Sequence, residues 1–131
     1  MAKGWRFEME ASYVEIYQEK IRDLLRPGSS HSDSHAIQNA PPGGCPLVMG
    51  VQREPVTSVD AAAGLVRRAA AARAVEATHM NATSSRSHTL FMLYITGVHE
   101  AAGKKLEGCL NLVRGMVVCC VCTFSWVHCL Q

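Results

Sequence analysis

The stretch Asn81-Ala82-Thr83-Ser84-Ser85-Arg86-Ser87-His88 organises the reading of this 131-residue chain. Three serines, one arginine and one histidine fill its last five positions. The apolar run Leu90-Phe91-Met92-Leu93-Tyr94-Ile95 follows, and an Ala/Arg-rich segment comes before. Hydroxyls beside a guanidinium suit a phosphate site. The hydroxyls bind phosphate oxygens or a metal, and the arginine offers a planar fork of donors. The alternative is a polar loop between a helix and a strand.

Outward from that stretch, the flanks read as alternating strands and helices. Over Arg6 to Tyr17, Phe7, Met9, Ala11 and Tyr13 alternate with Arg6, Glu8, Glu10 and Ser12, the period of a strand. Val14 and Ile16 add apolar groups on the other face, as in a sheet covered on both sides. Gln18 to Leu25 is predicted as a short helix, with Ile21, Leu24 and Leu25 at helical spacing, closed by Pro27-Gly28. Ser29 to Gly50 is loop by composition. His31 and His35 are four apart, but their Ser and Pro neighbours argue against a helix and so against a metal site.

Val51 to Val56 is predicted as a short strand. A helix is predicted from about Val59 to Ala77, with Thr57 as cap and Asp60 answering it three residues on. Its apolar face is Leu65, Ala69 and Ala72, with Val66, Ala70 and Ala74 beside them. Arg67 and Arg68 are expected on a solvated face. Leu90 to Thr96 is a central strand, Gly97 to Gly108 a hairpin-like connector, and Cys109 to Val113 a second buried strand.

The order Asn81-x-x-Ser84-Ser85-Arg86-Ser87-His88 resembles switch I of the kinesin motor domain. Ala11-Ser12-Tyr13-Val14-Glu15-Ile16-Tyr17 and Ile21-Arg22-Asp23-Leu24-Leu25 resemble the strand and short helix after the kinesin nucleotide-binding helix. Arg73-Ala74-Val75, Thr78, Met80 and Asn81 resemble the end of the helix leading into switch I. Leu110-Asn111-Leu112-Val113 resembles the strand that delivers switch II. Gly4-Trp5 and the Gly97–Gly108 connector look most like the minus-end-directed class with a C-terminal motor.

The resemblance implies an α/β fold: a partial P-loop NTPase motor with a central mixed β-sheet flanked by helices, truncated at both ends. It implies two segments, a partial motor domain over 1–113 and a divergent, apolar, Cys-rich tail over 114–131. It also implies residue roles. Ser84, Ser85 and Arg86 form the catalytic set, and Asn81, Ser84, Ser85, Arg86, Ser87 and His88 bind the nucleotide. Ser85 reaches magnesium in a complete domain, Arg86 pairs with a switch II glutamate, and Arg73 lies near the nucleotide. The cofactors are ATP and Mg, and the partner is the microtubule, bound weakly or not at all by this section alone. The implied location is the cytoplasm, on the microtubule cytoskeleton.

Phosphoryl transfer needs more than switch I. The phosphate loop G-x-x-x-x-G-K-S/T does not occur in the chain. The nearest run, Gly97 to Lys105, has the wrong spacer and a lysine where the hydroxyl should stand. In the family that loop lies upstream of the first strand. After Val113 the family continues Asp-Leu-Ala-Gly-Ser-Glu, whereas here Arg114-Gly115-Met116-Val117-Val118 is present. A cation at 114 repels magnesium instead of holding it. The section by itself is therefore expected not to turn over ATP. The alternative function is a non-catalytic module that binds tubulin or a partner through the Ser29–Pro55 region.

The remaining totals bound little. The net charge of +2 favours neither nucleic acid nor an acidic surface, and no nucleic-acid or membrane partner is expected. Met1–Glu10 has no apolar core of the kind a signal peptide carries. Four of the six cysteines fall in the last thirteen residues, among Val117, Val118, Val121, Phe124 and Trp126. Their spacing matches no structural zinc pattern, and the run is too short to span a bilayer. The loss of family pattern after Val113 is expected to mark unspliced sequence read through as a tail.

Overall fold

A computed structural model describes residues 4–30, 34–39, 46–79, 87–113 and 116–126. The chain order is β1 (Arg6–Tyr17), β2 (Lys20–Asp23), β3 (Ile37–Gln38), β4 (Leu47–Val48), β5 (Glu54–Pro55), α1 (Val59–His79), β6 (Ser87–His99), β7 (Lys104–Val113) and β8 (Met116–Trp126). Six strands form one sheet in the order β2-β1-β6-β7-β8, and β5 also pairs with β1. Strands β3 and β4 make a separate two-stranded ladder. The sheet expected to be mixed is antiparallel at every described pairing.

Strand β1 has the bounds its alternation predicts. Its odd positions Ala11 and Tyr13 pack under α1 with Leu24, Leu25, Val56, Leu65, Ala69 and Phe91. Its even positions Val14 and Ile16 pack on the opposite face with Ile21, Val48, Met92 and Cys109. Strand β6 lies between β1 and β7, which explains the apolar side chains on both its faces.

The predicted helix over Gln18–Leu25 is instead the return of a hairpin. Gln18 and Glu19 both have positive φ, 49° and 63°, as a two-residue type I′ turn requires. Register then pairs Tyr17 with Lys20, Ile16 with Ile21, Glu15 with Arg22 and Val14 with Asp23. The i, i+3, i+4 spacing misled because Leu24 and Leu25 follow the strand and fill the core under α1.

Helix α1 runs two residues beyond the prediction, to His79. Ser58, not Thr57, caps it: its Oγ accepts the Ala61 N–H at 3.1 Å. The stripe packed on the core is Leu65 and Ala69, which are buried, with Ala62 and Ala72, which are partly buried. Val66, Ala70 and Ala74 are exposed, so the apolar face is narrower than predicted. A stripe rich in alanine lets the helix lie close on the sheet.

The connector is also tighter than expected. Gly97 lies inside β6 opposite Phe7, and a Cβ there would meet the Phe7 ring at 2.7 Å. The glycine accommodates an aromatic ring from the neighbouring strand and does not start a loop. The actual turn is a short 3-10 segment, Glu100–Ala102, closed by Gly103 at φ 59°. The strand predicted over Val51–Val56 shrinks to β5, which holds Pro55 where the ladder can spare a donor. Beyond Arg114, β8 pairs with β7 from Val113↔Met116 to Lys104↔Trp126.

Placing Asn-Gly in the hairpin turn tests this topology. Gln18→Asn with Glu19→Gly should stabilise the protein by about 1 kcal/mol, because both positions hold left-handed backbone that β-carbons disfavour. Denaturant midpoints check it; a helix at this position would be weakened by the same pair.

Candidate functional site: the stem of the serine-rich loop

Of the six site residues expected from sequence, Asn81, Ser84, Ser85 and Arg86 lie outside the described residues. Ser87 and His88 open β6. Ser87 is buried at 5% exposure, and His88 is exposed opposite Ile16. The described site is therefore the stem of that loop, where α1 leaves off and β6 begins.

A buried ionic cluster holds this stem. Glu15 sits on the α1 face of β1 with its side chain 7% exposed. Arg73, from the last two turns of α1, donates its Nε to Glu15 Oε1 at 2.9 Å. The same guanidinium donates from NH2 to Ser87 Oγ at 2.7 Å. One side chain thus ties the end of the helix, the start of β6 and the middle of the sheet together. Ser87 stands opposite Tyr17 in the ladder and Glu15 opposite Thr89, so both acceptors are fixed by the β1–β6 register.

Arg22 closes the other side of the carboxylate. It is the cross-strand partner of Glu15, and its NH1 lies 3.7 Å from Glu15 Oε2. Its Nε donates to the Ser29 carbonyl and its NH2 to the Ala72 carbonyl, each at 3.1 Å. The second contact ties the β1–β2 hairpin to the helix one residue before Arg73. Asp23 organises the segment after β2. Its Oδ1 accepts from the Leu25 N–H at 2.9 Å and the Arg26 N–H at 3.3 Å, and its Oδ2 from the Gln52 N–H at 2.6 Å. Ser29 Oγ accepts the Asp23 N–H at 3.1 Å.

Charges this deep are tolerated because each is paired and hydrogen-bonded. The geometry suits a positioning task. A loop of polar residues is aimed only as well as its ends are fixed, and here both ends share one arginine.

Sequence reading brought forward Arg73 and Ser87 but missed Glu15, Arg22 and Asp23. The signal was present. Glu15 interrupts the apolar Val14 and Ile16, and Arg22-Asp23 interrupts Ile21 and Leu24. Opposite charges inside two neighbouring apolar runs become a cross-strand pair once a hairpin joins them.

Two further polar residues have defined partners. Arg68, expected on a solvated face, is half exposed but makes a two-pronged pair with Glu54 at 2.7 and 2.8 Å and donates to the Leu25 carbonyl at 3.2 Å. The Arg68 hydrogen bonds hold the Glu54 carboxyl below the ordinary glutamate range, and its partner raises Arg68 in turn. His35 bonds the Met49 carbonyl at 3.2 Å across the β3–β4 ladder. Among the described residues no three His, Cys, Asp or Glu side chains are grouped to hold a metal.

With the geometry established, comparison identifies the family. Residues 1–114 match the model of the kinesin motor domain. Kinesin-like protein KIN-14N of Oryza sativa subsp. japonica is 36% identical over 118 residues, covering 86% of this chain and 15% of that protein. Kinesin-like protein KIFC1 of Cricetulus griseus is 41% identical over 113 residues, covering 85% and 18%. Among solved structures, a fast kinesin described for its ATPase mechanism and interactions with microtubules matches with TM-score 0.74 and 38% identity, over 86% of this chain and 31% of that one. The C-terminal motor domain of Kar3 from Candida glabrata matches with TM-score 0.66 and 31% identity, over 86% and 33%. The chain belongs to the kinesin motor domain family. The C-terminal-motor class expected from sequence is among these matches. The chain spans 15% of the first relative's length and 31% of the first solved motor's.

Truncating Arg73 leaves Glu15 with Arg22 alone. Arg73→Ala should cost about 2 kcal/mol and Ser87→Ala about 1 kcal/mol, read as denaturant midpoints. Equal and negligible losses would show that the cluster does not hold the stem.

The Glu54–Arg68 pair gives a pH dependence. A lowered carboxyl contributes stability above its unfolded value and loses it as pH falls through the folded one. Near neutral pH, Glu54→Gln should cost about 0.5 kcal/mol, the scale of a partly exposed pair. That difference should vanish on the acid side of the ordinary glutamate range. A difference that persists there contradicts the assignment.

Proposed function

We propose that this chain is the switch I section of a microtubule motor whose complete domain couples ATP hydrolysis to movement. The observation that carries the reading is the Arg73–Glu15–Ser87 stem, which fixes both ends of a loop rich in phosphate-binding side chains. The kinesin family match supports the same reading.

In the complete domain Asn81 approaches the γ-phosphate, while Ser84 and Ser85 contact phosphate, the magnesium shell and the attacking water. Arg86 pairs with a carboxylate of switch II, and Ser87 and His88 support the loop where it enters β6. The Ser85 hydroxyl is a hard oxygen donor of the class Mg²⁺ takes. One hydroxyl cannot hold the ion alone, and the described residues hold no carboxylate cluster that would. Ser85 would contribute one oxygen to holding the ion, and the ion would supply neutralisation of the charge that builds during phosphoryl transfer.

Arg73 acts here as a positioning residue. The sequence resemblance sets it near the nucleotide; its bonds to Glu15 and Ser87 give it an anchoring role besides. The section lacks a phosphate-cradling loop and carries Arg114 where the family has a magnesium-directed aspartate. We read residues 1–113 as motor section and 114–131 as divergent tail. The chain alone is then inactive, with its parent on cytoplasmic microtubules.

Titrating Mg·ATP into the 131-residue chain should give no saturable micromolar binding, because phosphate affinity resides mostly in the missing loop. In a complete motor domain containing this section, Ser85→Ala should lower kcat about a hundredfold while microtubule pelleting persists. Tight Mg·ATP binding by the chain alone, or an unchanged kcat, contradicts the assignment. Tubulin pelleting by the chain alone would favour the non-catalytic binding module.

A further inference from the structure

The two edges of the main sheet are unlike. One is made of β2, β5 and the first residues of β1. Strand β2 has four residues and carries Lys20, Arg22 and Asp23, while β5 has two, Glu54 and Pro55. Arg6 and Glu8 charge the rest of that edge. Short strands, charges and proline are the devices that keep an edge from pairing with another chain.

The other edge, β8, is long and uncharged. Among the described residues β8 pairs only with β7. It has eleven residues, and Met116–Trp126 contains no Asp, Glu, Lys, Arg, Pro or Gly. Over residues 116–122 its register against residues 107–113 runs without a break, and a register shift follows at Leu106/Glu107. The unbroken run is regular strand whose alternate backbone N–H and C=O groups point away from β7. Segments of about this length with strong β-propensity, no charge and no proline are those that pair with copies of themselves.

We propose that β8 is a self-association edge: residues 116–122 of one chain pair antiparallel with the same residues of a second copy, joining two sheets into one. The contact is isologous, with Cys119 at its centre opposite its own copy. An uncharged strand suits this occupant. Two copies meet without like charges opposed, whereas an acidic or basic partner would find no charge on the strand to answer it.

Closure follows from the unlike edges. Once two β8 strands are paired, only the short, charged edges remain at the ends of the joined sheet, so the assembly stops at two chains. Backbone pairing returns little beyond the freedom two chains lose on association, so the dimer dissociates in the micromolar range or above.

Sedimentation of the full 131-residue chain under reducing conditions tests this contact. Across micromolar to millimolar chain the mass should rise from one chain to two and no further. In the same solutions amide hydrogen exchange should slow about tenfold at alternate residues of 116–122 as the dimer forms, with no such change on β2. Cys119→Lys sets two like charges opposite each other and should weaken the dimer about tenfold or more. Glu19→Lys, in the hairpin turn beside β2, should leave it unchanged. Exchange in the unaltered chain decides the matter if the Cys119→Lys variant does not fold. A chain that stays monomeric across that range, a dimer whose protection falls on another element, open growth beyond two chains, or equal dimerisation by folded Cys119→Lys would overturn the proposal.

Discussion

A single buried carboxylate, Glu15, sets the geometry of the loop stem. It lies between the Arg22 guanidinium at 3.7 Å and that of Arg73 at 2.9 Å. Glu15 and Arg22 are buried and Arg73 is 29% exposed; burying such charges is tolerable only when they are paired in good geometry and hydrogen-bonded. Arg22 donates to the Ser29 and Ala72 carbonyls and Arg73 to Ser87, while Arg22 NH1 stands 3.7 Å from Glu15 Oε2 as an ion-pair contact. Because the acceptors come from a hairpin, a helix and a strand start, each element must be in register before the charges are matched. The cluster therefore specifies an arrangement more than it adds stability, in line with the register-fixing role of buried polar groups.

That arrangement fixes the described residues on either side of the serine-rich segment 80–86. Its leading end follows a helix laid close on the sheet by small residues, Ala62, Ala69 and Ala72, around one large one, Leu65. Its trailing end enters β6, which pairs with β1 over twelve residues, from Arg6↔Val98 to Tyr17↔Ser87. Under the proposed switch I reading, a double anchor of this kind would supply the fixed frame that side chains placed against a nucleotide need. Away from α1 the same sheet face is less covered: Phe7 at 47% and Leu112 at 37% exposure show where the described residues leave apolar surface open.

Much of this was legible in the sequence because period and pattern agree there. Alternation gave β1 its bounds, alanine content gave α1, and the unbroken apolar run gave the central place of β6. The family was legible from the ordered motif Asn81 to His88 with its flanks. The failures concern features that local spacing cannot encode. Ile21, Leu24 and Leu25 fit a helical stripe, yet two left-handed residues at Gln18 and Glu19 turn the chain back as a hairpin. Neither residue is the glycine or asparagine that usually announces such a turn. Gly97 reads as a breaker in sequence and acts as a seat for Phe7 in the sheet. The ionic stem was hidden for the same reason: Glu15, Arg22 and Arg73 are far apart in sequence, and only the hairpin and the crossover of α1 bring them together.

The most direct test of this account is a double-mutant cycle on Glu15→Gln and Arg73→Gln, with unfolding free energy as the readout. If the two side chains form the pair that fixes the loop stem, the double variant should lose at least about 1 kcal/mol less than the sum of the single losses. Losses that simply add would mean that Glu15 and Arg73 do not act as a unit, and the loop would have to be held some other way.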